Sequence, residues 1–146
     1  HGRAKEIAAE LKVSEIKSRP VIVSEETKVY DAIVMLFLEN VGTIFVQNDE
    51  ALTGVISRKD FIKALMGNPG MNNMPVGMIM SRMPNIVYLK DDESAYDAVE
   101  KLISHEVDSI PVVESHVNSE GKEVFRITGK VSKTNVTKLL YDLCKE

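Results

Sequence analysis

Two short stretches place a hydroxyl, a carboxyl or amide, and the start of a helix within four residues of one another. The first is Gly54-Val55-Ile56-Ser57-Arg58-Lys59-Asp60-Phe61 and the second Gly129-Lys130-Val131-Ser132-Lys133-Thr134-Asn135-Val136. Each reads as a buried strand that stops at a serine and turns at once into a helix. A serine in that place caps the helix, because its hydroxyl accepts a hydrogen bond from an unpaired N–H of the first turn. Asp60 and Asn135 follow three residues later, in the turn where the helix dipole favours negative charge. The same N-terminus, with its outward N–H groups, suits an anion. A phosphate against the serine and a sugar diol against Asp60 or Asn135 is the chemistry these residues would do. Ser-x-x-Asp at one helix start is an ordinary cap. Two copies in one strand–serine–helix context point to an architectural and partly functional element.

Other constellations carry less. His1, His105 and His116 lack metal-ligand spacing, and the chain has a single cysteine, Cys144. No metal site is expected. No serine is set with a histidine and an acid, and no Walker-type glycine-rich loop is present. Lys90-Asp91-Asp92-Glu93 reads as a helix N-terminus with favourable charge rather than a pair of catalytic carboxylates. The expectation is a protein without enzymatic activity.

The elements that position the two stretches follow from the rest of the chain. Its 146 residues are 44% apolar with a net charge of −4. That balance gives no general attraction to nucleic acid or anionic lipid. One cysteine excludes an intrachain disulfide and suits the cytoplasm. No apolar run approaches membrane-spanning length. His1-Gly2 reads as a tag remnant, with residues expected upstream. Residues 1–12 comprise this remnant and a helix in which Ala4, Ile7, Ala8 and Leu11 recur at helical spacing. That helix either connects to a further domain or packs on the body.

Residues 13–66 form a first repeat. Val13 to Arg19 is a turn region closed by Pro20, and Val21-Ile22-Val23 a buried strand. Ser24-Glu25-Glu26-Thr27 opens a helix whose buried stripe is Val29, Ala32, Ile33, Leu36 and Phe37. Strands Thr43 to Gln47 and Leu52 to Ile56 flank a turn at Asn48-Asp49-Glu50, and a helix runs from Arg58 to Met66. Residues 67–75, rich in Gly, Asn and Pro, are a linker. Residues 76–143 repeat the pattern. Tyr30-Asp31-Ala32 returns as Tyr96-Asp97-Ala98, a shift of 66 positions. The second stripe is Ala95, Ala98, Val99, Leu102 and Ile103. Val41, Ile44 and Val46 return as Val107, Ile110 and Val112, and Pro20 to Val23 corresponds to Ile86 to Leu89. The shift grows to 75 between Ser57 and Ser132, across a longer polar hairpin loop from Glu114 to Glu123. Ser18-Arg19 returns as Ser81-Arg82 at a shift of 63. The last helix, Lys133 to Leu143, buries Val136, Leu139, Leu140 and Leu143. A half of about 55 residues is too small for a comfortable core of its own. Two βαββα-type repeats about a pseudo-two-fold axis, an α/β (α+β) fold, would bury each other's sheets and face their capped helices into clefts.

The duplicated unit closed by Gly-x-hydrophobic-Ser-x-x-Asp resembles a tandem CBS domain pair, or Bateman module, over most of 13–143. The stretches Asn40 to Val46, Val55 to Asp60, Ile79 to Ile86 and Gly129 to Lys138 are similar to the regulatory half of the catabolite control protein N-type transcription repressors. That resemblance implies an adenine-nucleotide sensor (AMP, ADP or ATP) and a homodimer. It also implies that DNA is contacted only through an N-terminal domain absent from these residues. By motif, one pocket would take Ser57, Lys59, Asp60, Arg82, Ile86, Val87, Asp108, Ser109 and Ile110. The other would take Arg19, Val21, Gly42, Thr43, Ile44, Ser132, Thr134 and Asn135. Asp60 would hold the ribose hydroxyls, Ser57 and Lys59 the phosphate, and Arg19 and Arg82 would reach phosphates with their planar donors. The alternatives are a CBS module that only dimerises, or one that regulates an enzyme or transporter.

Overall fold

The computed structural model describes residues 2–145; His1, read above as part of a tag remnant, lies outside the described residues. In chain order the elements are α1 (Gly2–Glu10), α2 (Val13–Ile16), β1 (Ile22–Val23), α3 (Val29–Glu39), β2 (Thr43–Asn48), β3 (Ala51–Ser57), α4 (Arg58–Gly67), β4 (Ser81–Arg82), β5 (Leu89–Lys90), α5 (Ala95–Ser104), β6 (Ser109–Val117), β7 (Glu123–Ser132) and α6 (Lys133–Cys144). Two 3-10 turns, Pro69–Asn73 and Val76–Met78, lie between α4 and β4.

The chain divides into two compact units. Pro20–Ile86 with Ser115–Arg126 forms the Asp60 unit; residues up to Arg19, Val87–Glu114 and those from Ile127 onward form the Asn135 unit. In the Asp60 unit a mixed sheet has the order β1-β2-β3-β4. β1 runs parallel to β2, and β2 pairs antiparallel with β3 in a register that sets Thr43 opposite Ser57. The β-branched and aliphatic residues of one sheet face, Ile44, Val46 and Ile56, pack with Val29, Ala32 and Leu36 of α3 and Phe61 of α4. The Asn135 unit has the sheet β5-β6-β7, again with β5 parallel to β6. Its core joins Ile110, Val112 and Val131 to Ala98, Leu102 and Val136. α1 lies in this unit, with Ala8 buried and Lys5 Nζ 5.3 Å from the centre of the Tyr96 ring.

Each unit borrows the segment that precedes the other repeat. Val13 is fully buried in the Asn135 core and Val76 in the Asp60 core. Val13 N–H donates to Glu93 O and Val76 N–H to Thr27 O, both at 2.7 Å. Ser81 pairs with Val55 of β3, and Ser18 forms the matching bridge to Lys130 of β7. The shift of 63 read from Ser18-Arg19 to Ser81-Arg82 is this edge pairing.

Several local expectations are corrected. Val13 to Arg19 contains one helical turn, α2, because Glu15 Oε2 accepts from Lys12 N–H at 2.8 Å and holds the turn open to the helix. Ser24 to Thr27 forms a turn and does not open α3, which begins at Val29; Val29 N–H donates to Met74 O at 2.9 Å, so main-chain pairing fixes the start. Phe37 and Ile103 leave the buried stripes, with exposures of 80% and 72%. They continue the helical period past the face that the sheet covers. Ile22 is likewise exposed, and Leu140 is only half-covered. Strand in the second repeat is limited to Leu89–Lys90 where Ile86 to Leu89 was expected. The hairpin loop shrinks to 118–122, because β6 and β7 continue through polar residues whose exposure alternates along the strand. Asn118 closes that loop, its Oδ1 accepting from Glu120 and Lys122 N–H, both at 3.0 Å. Within the Asp60 unit the hairpin tip meets the β2–β3 turn through His116 Nε2 and Glu50 Oε2 at 3.0 Å and through Ser119 Oγ, which donates to Asp49 Oδ1 at 2.6 Å.

Candidate functional site: two serine-capped helix starts

In the Asp60 unit, β3 delivers Ser57 in extended conformation to the first turn of α4. Ser57 N–H donates to Asp60 Oδ2 at 2.9 Å and the Ser57 hydroxyl to the same oxygen at 3.1 Å. This is a capping box, in which the third helical residue reaches back to the cap. Both of these bonds use one carboxylate oxygen, Oδ2. Gly42 lies on the same turn: its carbonyl accepts from Arg58 N–H at 3.2 Å. A side chain there would run into the Arg58 guanidinium, 2.9 Å from where its Cβ would sit. Thr43 is buried opposite Ser57, while Ile44 is fully buried in the core and offers a ligand only main-chain atoms. Val21 is half-buried and its carbonyl accepts from Phe45 N–H. Lys59 is exposed, and Ile86 is buried. Arg82, on β4, is already engaged: it donates to Gly77 O at 2.6 Å and pairs with Glu25 at 3.4 Å.

The Asn135 unit builds the same device from β7 and α6. Ser132 N–H and Oγ–H both donate to Asn135 Oδ1 at 2.8 Å, and Asn135 N–H returns to Ser132 Oγ at 3.2 Å. Ser18 adds a third donor to Asn135 Oδ1 at 3.1 Å. All three of these donors bond to the carbonyl side of the amide. Asp108 takes the place of Gly42: its carbonyl accepts from Lys133 N–H at 2.9 Å, and its carboxylate pairs with Lys133 Nζ at 3.3 Å. Ser109 is buried beside it, Ile110 is fully buried in the core, and Val87 is half-buried. Thr134 and Arg19 are exposed.

Each unit by itself thus brings together its own capped helix and its own strand start. Gly42, Thr43, Val21, Arg82 and Ile86 accompany Ser57 and Asp60. Arg19, Val87, Asp108 and Ser109 accompany Ser132 and Asn135. Sequence reasoning missed Ser18, although its repeat with Ser81 marked the edge on which it sits, and missed Arg58, whose contact with Gly42 leaves no sequence signal. Lys130, two residues before Ser132, is half-buried, and burial lowers its pKa from 10.5. Among the described residues no group of three His, Cys, Asp or Glu side chains stands ready for a metal. None of their helices is long and apolar enough to cross a membrane.

The model of the CBS domain family matches residues 13–67 and 76–142. The chain belongs to the CBS domain family. It is 40% identical over 134 residues to the transcriptional repressor CcpN of Bacillus subtilis, a match covering 91% of this chain and 61% of that protein. The chain therefore spans about three fifths of that relative's length. Its fold matches the CBS domain pair of protein MJ0100 in complex with 5′-methylthioadenosine and S-adenosyl-L-methionine, with a TM-score of 0.74 at 22% identity over 90% of this chain and 97% of that one. It also matches CBSX2 in complex with AMP, with a TM-score of 0.71 at 22% identity over 92% and 98%. A putative acetoin utilization protein (AcuB) from Vibrio cholerae gives a TM-score of 0.76 at 15% identity over 92% and 93%. At these identities the structural likenesses establish the fold. The chain is a CBS regulatory module related to a transcriptional repressor.

Proposed function

We propose that this CBS pair is the adenine-nucleotide-sensing module of a cytoplasmic transcription repressor. The observation that carries the reading is the pair of capping boxes, each of which spends one terminal atom of Asp60 or Asn135 and leaves the other for a ligand. A ribose diol both donates and accepts, so a carboxylate oxygen or an amide NH2 each has a partner on it. The N–H groups and partial positive charge of the helix start then favour phosphate. Ser57, Lys59 and Asp60 serve one ligand, and Ser132, Thr134 and Asn135 the other; Arg19 and Arg82 stand at matching edges. Two fold relatives carry adenine-containing ligands, 5′-methylthioadenosine with S-adenosyl-L-methionine in one and AMP in the other, which supports the ligand class. DNA contact belongs, in this reading, outside this stretch, whose net charge of −4 gives no attraction to DNA. A ligand then acts on DNA binding only through its differential affinity for two arrangements of the protein. Calorimetric titration with AMP, ADP and ATP tests the reading: saturable binding of at least one is expected, and heats of dilution alone for all of them would overturn it.

A homodimer completes the proposal. Phe37, Leu38, Ile62 and Met66 on α3 and α4 are between 63% and 82% exposed, and the positions matching Phe37 and Met66 in the second repeat, Ile103 and Tyr141, are exposed too. Apolar surface repeated at matching positions marks an interaction face. Sedimentation should show a dimer that Phe37→Asp weakens; a wild-type monomer at micromolar concentration would remove the dimer from the account.

A further inference from the structure

The two caps differ in the charge they present. The strand residue two positions before the capping serine is Val55 in one unit and Lys130 in the other. In the Asn135 unit Ile110, Val112 and Val131 face the core. Strand alternation then turns Ser109, Lys130 and Ser132 together to the opposite face. Ser109 is 8% exposed, and its hydroxyl is buried without a hydrogen-bond partner. A buried hydroxyl left unpaired is costly, and a ligand acceptor on this face would relieve it. Lys130 is half-buried, and its desolvated ammonium has no ion pair among the described residues. Asp108, at the start of the neighbouring strand, is itself paired with Lys133. The Asp60 cap differs: its strand position is the apolar Val55, its third helical residue is a carboxylate, and its cations, Arg58 and Lys59, stand exposed on the helix while Arg82 is held by Glu25 and Gly77 O.

Resting on the nucleotide reading above, we propose that the two caps select different ligands. The Asn135 cap takes the polyphosphate end of a nucleoside di- or triphosphate on Lys130, Ser109 and the Asn135 NH2. The Asp60 cap takes the uncharged diol of a nucleoside or monophosphate. Anionic oxygens against an ammonium and hydroxyl donors form charge-assisted bonds, roughly twice as strong as neutral ones. At the Asp60 cap, Val55 supplies no ammonium in the place of Lys130, and the carboxylate favours the sugar diol.

The test is titration of the full 146-residue chain with ATP and with adenosine. In Asp60→Ala, which leaves the Asn135 cap intact, ATP should bind about tenfold or more tighter than adenosine. Adding Lys130→Met should bring the two affinities to within about twofold, and Lys130→Arg should keep the preference because it keeps the charge. A thermal melt of each variant establishes that it is folded; Lys130→Met is expected to melt no lower than wild type, since it removes a desolvated charge. If ATP keeps its preference in folded Lys130→Met, the selectivity inference is overturned and the nucleotide reading stands. If neither ATP nor adenosine binds wild type, both fall.

Discussion

The Ser57–Asp60 and Ser132–Asn135 caps are copies of one backbone device carrying different chemistry. The capping serine, the reach-back from the third helical residue and the edge pairing are shared, while Asn135 alone returns its N–H to the serine and takes a bond from Ser18. What changes lies beyond the backbone. Val55, Asp60, Gly42 and Met80 on one side correspond to Lys130, Asn135, Asp108 and Lys17 on the other. Met80 is buried over Gly54, whereas Lys17 lays its stem over Gly129 and sends its ammonium to Asp91 at 2.8 Å. In the proposed reading, duplication fixes where a ligand would be gripped, and substitution at these few positions sets what kind of ligand that would be.

That contrast can be broken most forcefully at Asp60. Asp60→Ala removes both the ligand contact and the capping box, so nucleoside affinity at that cap should fall by about tenfold or more. Folding stability should drop by about 1 kcal/mol as the cap is lost. Calorimetry and denaturant melts check the two separately. Next in size is the glycine pair. A methyl group at Gly54 would strike the buried Met80 side chain, and at Gly129 the flexible stem of Lys17. Gly54→Ala should cost about 1–3 kcal/mol as an overpacked core site, and Gly129→Ala less. Equal losses would mean that the two edges pack alike.

Smaller again is Asn135→Asp, which makes the second cap resemble the first. A carboxylate in the first turn of α6 should stabilise the fold by about 0.3–1 kcal/mol. The same charge should weaken ATP binding relative to adenosine, and a titration with both ligands reads that shift. The smallest effect is the pH dependence of Lys130. Its pKa in the folded protein lies below 10.5 because burial disfavours the ammonium. The protonated lysine therefore opposes folding at every pH below its folded pKa, and that opposition fades as pH rises through this value towards 10.5. Lys130→Met should accordingly melt above wild type at neutral pH, with the gap narrowing at alkaline pH. A gap that widened with pH would contradict the assigned cause.

The repeats and the capped helix starts were legible because they depend on local rules: strand alternation, a serine before a helix, and recurrence at fixed shifts. Phe37 and Ile103 were misread because helical spacing marks an apolar stripe but not how wide a stripe the sheet covers. The outer strands of the hairpin were misread because Glu114, Ser115 and His116 are polar, and an exposed strand end carries polar residues as readily as a loop does. The exchange of 13–19 and 76–82 between repeats left only the shift of 63 as a trace, and a shift says that segments match, not which unit they join. Ser18 reaches Asn135 only through that exchange. The unpaired Ser109 hydroxyl depends on packing, which no spacing announces.

The central claim, that the two caps hold adenine nucleotides, is tested most directly by thermal shift on wild type and on the double variant Asp60→Ala/Asn135→Ala with AMP, ADP and ATP. Ligand at a hundred times its dissociation constant adds about 2.7 kcal/mol to the folded state. At roughly 2–4 °C per kcal/mol, wild type should rise by several degrees with at least one nucleotide. The double variant, folded, should show no rise. An unmoved melting temperature in wild type, or the same rise in the double variant, would contradict the account.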